Sequence, residues 1–298
     1  MSVIFIFVDG IGVGKQTPYN PLFKNGWDSF TVFTEGDGLD DTLPAVKKER
    51  ILYKPIDANL GVKGLPQSGT GQTTLFSGVN ASEIAGKHYG PVPYTTTRFL
   101  LQEKSLFHSV LEMKLKPVFM NAYPEIFFKR AKKKNRWTAT TMMARSAGIR
   151  LKTMDDLLDG KALTAEITQN VWREQLGLNV PQITVEEAAS RLLKAAETND
   201  LVMYEFYLTD KAGHSMDKSY ADRIRDILNP FLKFTSDNLN KNDTLVITSD
   251  HGNFEDLSVK THTRNPVPLF VKGRTDCFEE AESIIDVTPG ILETLKKK

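Results

Sequence analysis

The chain has 298 residues, 40% apolar and 25% charged, which excludes a disordered tail, a collagen-like fibre and a small disulfide scaffold. Its 38 basic and 37 acidic residues leave a formal charge of +1, too balanced for a protein held on nucleic acid by bulk charge. The single cysteine, Cys277, cannot close an internal disulfide, and no stretch reaches the ~18–20 apolar residues that a membrane span needs.

The run Val3–Val8 is apolar but only a strand long, lacks a basic leader and passes straight into Asp9-Gly10. It reads as the first core strand of a cytoplasmic protein rather than a signal peptide. Residues 10–64 are rich in Gly, Pro and Asp and read as loops with short elements. The apolar spacing then predicts helices over Gly71–Ser77 and Ser105–Lys114, a strand at Pro117–Met120, and helices over Thr138–Ala147 and Val185–Glu197. Next come a strand at Leu201–Leu208, a helix over Lys218–Asn238, strands at Thr244–Thr248 and Val267–Val271, and a final helix over Asp286–Lys296. The strands are nearly continuous apolar runs, as in parallel strands covered on both faces. The alternation argues for an α/β fold, a doubly wound, mostly parallel sheet with helices on both faces, in one domain spanning 1–298. Residues 152–182 have the weakest periodicity and read as a small insertion.

Three strands are followed by carboxylates: Asp9 after Val3–Val8, Asp210 after Leu201–Leu208, and Asp250 after Thr244–Thr248. Ligands of open parallel sheets bind beyond the carboxyl ends of the strands. If these strands are neighbours, three anions converge there and raise one another's pKa unless a multivalent cation intervenes. Three of the five histidines sit beside these acids: His214 four residues after Asp210, His251 directly after Asp250, and His262 eleven further on. Three Asp and three His form a mixed N/O set suited to Zn²⁺ or Mn²⁺, and six ligands are natural for two ions. Taken singly, each Asp also reads as a helix cap or turn former.

The segment Leu65–Gly78 crowds small and hydroxyl residues into a loop that enters an apolar helix. Such a helix start offers free N–H groups to an anion. Ser68, Thr70, Thr73 and Thr74 are nucleophile candidates there, and with no histidine close in sequence, metal activation is the economical way to ionise a hydroxyl.

Together Phe7–Gly10, Leu65–Gly78, Tyr207–His214, Ile247–Asn253 and His262–Pro268, in this order, resemble the alkaline phosphatase superfamily, specifically the metalloenzyme domain shared by cofactor-independent phosphoglycerate mutase and phosphopentomutase. The resemblance implies phosphoryl transfer through a phosphoserine, with two divalent ions (Mn or Zn). One would be held by Asp210, His214 and His262, the other by Asp9, Asp250, His251 and the nucleophile oxygen. Counting back from Gly78 places the nucleophile at Ser68, with Thr70 as second choice. Gln72 departs from the resembled mutases, which have His there. Those mutases also insert a whole cap domain between the nucleophile and the Asp-x-x-x-His pair. Here the intervening chain leaves room for a small lid within 123–182 but no full cap.

The expected activity is therefore hydrolysis of a small phosphorylated metabolite, with a phosphomutase as runner-up. Asn253, Arg264, Lys87 and His88 are candidate substrate contacts; Arg264 equally suits a surface charge, and Lys87 with His88 a turn. The basic run Lys129–Arg136 reads as a solvated face, or as a lure for anionic substrates if it folds over the metal edge. A rival nucleotide- or NAD-binding reading of Gly10–Lys15 misses both glycine-loop spacings: Asp9 and Gln16 break the P-loop, and Gly-x-Gly-x-Gly is not the dinucleotide fingerprint.

Overall fold

Every residue of β1 (Val3–Val8) is buried. Alternate side chains explain why: Ile4, Ile6 and Val8 enter one hydrophobic cluster, and Val3, Phe5 and Phe7 enter another on the opposite face. In this computed structural model, which describes residues 1–24, 26–34, 36, 38–134 and 136–297, the other strands are β2 (Val46–Lys48), β3 (Ile51–Ile56), β4 (Pro117–Phe119), β5 (Leu201–Phe206), β6 (Thr244–Thr248) and β7 (Val267–Lys272). Among the described residues they form one seven-stranded sheet in the order β2-β3-β7-β6-β1-β5-β4.

The helices, in chain order, are α1 (Asp28–Thr31), α2 (Ser68–Ser77), α3 (Ala81–Ala85), α4 (Arg98–Glu103), α5 (Leu106–Glu112), α6 (Glu125–Lys134), α7 (Ala139–Ser146), α8 (Met154–Leu158), α9 (Val185–Ala196), α10 (Leu208–Ser215), α11 (Lys218–Asp237) and α12 (Val287–Lys296). One face of the sheet is covered by Phe30 of α1, Leu192 of α9 and Leu228 and Phe231 of α11. The other is covered by Phe76 of α2, Leu101 of α4, Phe107 of α5, Met143 of α7 and Ile291 of α12. Phe76 meets Phe7 edge-on at 5.2 Å; a fully buried Phe of this kind contributes roughly 1.5–3 kcal/mol. The expected two-faced α/β architecture is thus present. Among the described residues no helix is long and apolar enough to cross a membrane.

Strands β4, β5, β1 and β6 run parallel, whereas β6–β7, β7–β3 and β3–β2 pair antiparallel. The sheet is therefore mixed. Burial on both faces made Val267–Val271 look parallel, but burial reports cover and carries no direction. The hairpin β2–β3 lies inside the stretch read as loops; Lys47, Lys48, Lys54 and Pro55 interrupt its apolar pattern. The strand expected at Leu201–Leu208 stops at Phe206, and α10 begins at Leu208, so Asp210 sits on a helix rather than after a strand.

These directions build the site edge. The carboxyl ends of β6, β1 and β5 lie side by side. Antiparallel β7 starts at that edge, so the connection 249–266 stays there. Strand β3, antiparallel to β7, ends there too and feeds the loop that enters α2. Within 123–182, a satellite core of Leu157, Ala162, Trp172 and Val180 packs beside the main sheet. Asn135, inside the basic run, lies outside the described residues.

Candidate active site

Asp9 follows β1, Asp250 follows β6, and Asp210 projects from the first turn of α10. The structure brings them together with the three histidines. His251 Nε2 lies 3.4 Å from Asp9 Oδ1 and 3.4 Å from Asp250 Oδ2. His262 Nε2 lies 3.5 Å from Asp210 Oδ1, and His214 Nε2 lies 3.4 Å from Asp210 Oδ2. Among the described residues two compact groups emerge, Asp9–Asp250–His251 and Asp210–His251–His262, each offering one ligand atom per residue within 4.8 Å of the others. The resemblance had put His251 in one set only. Here it stands in both, and His214 sits at the rim with its side chain 41% exposed.

The electrostatics fit a pair of cations. Among the described residues, neither oxygen of Asp250, nor Oδ1 of Asp9, has a hydrogen-bond partner, although all are buried; an orphaned buried carboxylate oxygen is costly. Burial, then repulsion from Asp250 and Asp210, pushes Asp9 well above the usual carboxylate range. Burial, then Asp210, raises Asp250 to about 7. Burial pulls His251 and His262 down to about 4, with neighbouring His251 adding to the effect on His262. His214 Nδ1 lies 2.7 Å from Lys260 O, and His262 Nδ1 2.7 Å from Pro66 O. A carbonyl only accepts, so each Nδ1 carries the proton and each Nε2 presents a lone pair. The two Nε2 atoms face each other at 3.2 Å, an arrangement relieved by a bound cation. The residues present therefore fit divalent metal.

The α2 helix delivers Ser68 as its first residue. Ser68 Oγ lies 3.0 Å from His251 Nε2, at the positive end of the helix dipole. The neighbouring hydroxyls turn to backbone: Thr70 Oγ1 accepts from Tyr89 N at 3.1 Å, Thr73 Oγ1 donates to Gly69 O at 2.6 Å, and Thr74 Oγ1 donates to Thr70 O at 2.9 Å. Gly71 lets α2 approach β6, since a Cβ there would stand 2.9 Å from Asp250 O.

Three further residues organise the cluster and escape a sequence reading. Gln72, noted there only as a departure, donates to Asp9 Oδ2 at 3.1 Å. Glu255 accepts from Gly12 N at 2.9 Å, Asn253 N at 2.7 Å and Asn265 Nδ2 at 3.0 Å, and from the Thr263 hydroxyl. It clips the loops after β1 and β6 to the His262 segment. A Cβ on Gly12 would meet Glu255 Cδ at 2.4 Å, so the glycines after β1 wrap a buried carboxylate. Glu205, near the end of β5, accepts from Thr140 Oγ1 at 2.8 Å, and burial raises it to about 7. Its signal is a charge inside an otherwise apolar strand.

The expected substrate contacts are differently placed. Asn253 Nδ2 donates to Asp210 Oδ1 at 2.6 Å and fixes that carboxylate. Lys87 lies over the rings of Tyr94 and Tyr89, at 4.7 and 5.5 Å. The His88 nitrogens lie 3.2 Å from Ser82 Oγ and 3.2 Å from Val62 O; burial, with a lesser push from Arg264, lowers its pKa. The Arg264 side chain is exposed, and its carbonyl accepts from Asn59 Nδ2 at 3.0 Å.

Comparisons with known proteins identify the family and the fold. A 2,3-bisphosphoglycerate-independent phosphoglycerate mutase of Desulforudis audaxviator is 27% identical over 124 residues, 39% of this chain and 24% of that protein. The one of Methanosarcina acetivorans is 36% identical over 99 residues, 32% of this chain and 24% of that protein. The matches thus span about a quarter of these relatives. The alkaline phosphatase of the Antarctic bacterium TAB5 shares the fold, with a TM-score of 0.61 at 13% identity over 99% of this chain and 97% of that one. The profile of the Metalloenzyme superfamily matches residues 1–298, and the chain belongs to that superfamily.

Proposed function

We propose that this protein is a metal-dependent phosphomonoesterase that acts through a phosphoserine at Ser68. The observation that carries the reading is Ser68 Oγ at 3.0 Å from His251 Nε2, the one side chain shared by both candidate metal groups. Asp210, His214 and His262 would hold one divalent ion (Mn or Zn), and Asp9, Asp250 and His251 the other, with His251 close enough to serve both. Bound there, the ions supply charge neutralisation and lower the pKa of a coordinated hydroxyl.

The chain's own contribution is position. The α2 dipole favours the ionised Ser68 oxygen and an incoming phosphate. In the first step the Oγ–P bond forms, the ester P–O bond breaks and the departing alkoxide takes a proton. In the second, water adds to phosphorus, the Oγ–P bond breaks and Ser68 recovers its proton, releasing inorganic phosphate. The named relatives are mutases, and a mutase must keep water from the phosphoenzyme while its substrate turns. Here the chain between α5 and α9 supplies short helices and a satellite core, a small lid at most, which favours hydrolysis.

The test is a panel of phosphorylated metabolites with added Mn²⁺ or Zn²⁺, scored for free phosphate against isomerised product. Free phosphate supports the reading; isomerised product alone replaces it with a mutase. Ser68→Ala should keep its metals and lose any trapped phosphoenzyme. Label appearing on Thr70 instead would move the nucleophile.

A further inference from the structure

A cavity of about 590 Å³ opens beside the metal edge. Its rim carries four cations: Arg130, Lys134 and Arg136 from the basic run, and Lys211, which directly follows Asp210 on α10. None of the four has an ion-pair partner among the described residues. Its walls are aromatic, formed by Phe127, Trp172 and Tyr207. Glu205 lines the cavity as well, and its carboxylate is near enough to act electrostatically on Asp9 and on Asp250. One side chain thus borders both the cavity and the carboxylate cluster. A second cavity of about 270 Å³ shares Trp172, Tyr207 and Lys211 with the first, so the two form one cleft.

We infer that this cleft binds the leaving group of the phosphoester, and that this group carries a second anion and a flat apolar ring. The inference rests on the phosphomonoesterase reading above and names its substrate class. Four cations against the single carboxylate of Glu205, over low-dielectric walls, concentrate anions. Arg130 and Arg136 can each engage a carboxylate or phosphate through two N–H groups. A leaving group of three carbons would leave the aromatic walls uncovered, whereas the volume lies within the ~300–1,000 Å³ typical of metabolite pockets. The basic run is otherwise a costly concentration of like charge on one rim.

The experiment uses the full chain loaded with Mn²⁺. Binding of phenylphosphonate and 4-carboxyphenylphosphonate, which cannot be hydrolysed, is followed by calorimetry and by quenching of tryptophan fluorescence. The carboxylated probe should bind at least about 10-fold tighter, the value of one charged hydrogen bond. The double variant Arg130→Ala/Arg136→Ala should reduce that preference to within about 2-fold, with a smaller loss of affinity for phenylphosphonate than for the carboxylated probe. Saturable quenching should disappear in Trp172→Phe, which locates the probe. Equal binding of the two probes, a preference that survives the double variant, or binding of neither overturns the inference. Turnover of phenyl phosphate and 4-carboxyphenyl phosphate separates the two readings. Free phosphate without preference keeps the esterase and removes the cleft; preferential binding without free phosphate keeps the cleft and removes the esterase.

Discussion

Gln72 Nε2 donates to Asp9 Oδ2 at 3.1 Å, inside the helix that presents Ser68. The donor orients one carboxylate oxygen and leaves Oδ1, which is buried and unpartnered, free toward the cluster. The same helix therefore positions both the hydroxyl and a candidate metal ligand. Gln72→Leu should lower the affinity for Mn²⁺ about 10–100-fold, the usual cost of losing a partner behind a ligand, with little change in thermal stability. Metal titration by calorimetry reads this directly. Unchanged affinity would mean that Asp9 is held by packing alone.

Asp250 offers a test in which stability and metal binding move in opposite directions. Its carboxylate is fully buried, both oxygens lack partners, and Asp210 adds repulsion. At pH 8, above its raised pKa of about 7, the metal-free protein must carry this charge buried. Asp250→Asn removes the charge while keeping the shape. The metal-free variant should gain roughly 1–3 kcal/mol, seen as a higher Tm in chelator, and should lose the Tm increase that Mn²⁺ gives the wild type. A variant less stable than the wild type in chelator would show that the carboxylate is satisfied without metal.

Much of this site could be read from the chain because its ligands cling to elements with strong local signals. Asp9 and Asp250 end apolar runs, and Asp210 and His214 share a helix face at i, i+4. What stayed hidden depends on distant chain. Glu255 meets Gly12 across 243 positions, and nothing in the loop after Asp250 marks one acidic residue as buried. The reversal of β7 left no trace because a strand covered on both faces has no periodicity to orient it. The β2–β3 hairpin was masked by lysines on its exposed positions. Glu205 was hidden by its neighbours, since a single charge in an apolar strand does not say which face its partners occupy.

The segment 123–182 has an electrostatic clasp remote from the metals. Arg150 donates to both oxygens of Asp156, at 2.7 and 2.5 Å, and Thr153 N donates to Asp156 Oδ2 at 2.9 Å at the start of α8. The Arg150 guanidinium, then the Thr153 amide, hold Asp156 down at about 2 against the opposing effect of burial. A depressed carboxylate stabilises the fold above its unfolded value near 3.8 and loses that contribution as pH falls through about 2. Arg150 is 65% exposed, so the ion pair itself is discounted and the helix cap carries most of the effect. Asp156→Ala should cost about 1–2 kcal/mol at pH 7. The gap from wild type should narrow from about pH 4 downward and close only below pH 2 in denaturant titrations; a full gap that persists at pH 2 would assign the effect to packing.

His251 and His214 differ in how many metals depend on them, and counting bound metal separates them. His251 is wholly buried, belongs to both compact groups, and sits 3.0 Å from the Ser68 hydroxyl. His214 is partly exposed, and its Nε2 lies 3.4 Å from Asp210 and 3.2 Å from His262. With His214→Ala, the Asp210, His251 and His262 group still offers three ligand atoms. That variant should retain two ions at saturating metal, with one bound about 10–100-fold more weakly. His251→Ala removes a donor from both groups and leaves Asp9 and Asp250 as adjacent buried carboxylates with no nitrogen between them. Elemental analysis of that variant should find less than one ion per chain and no activity toward phenyl phosphate. Two ions in His251→Ala would show that neither group depends on His251, against both its shared position here and the single site that the resemblance implies.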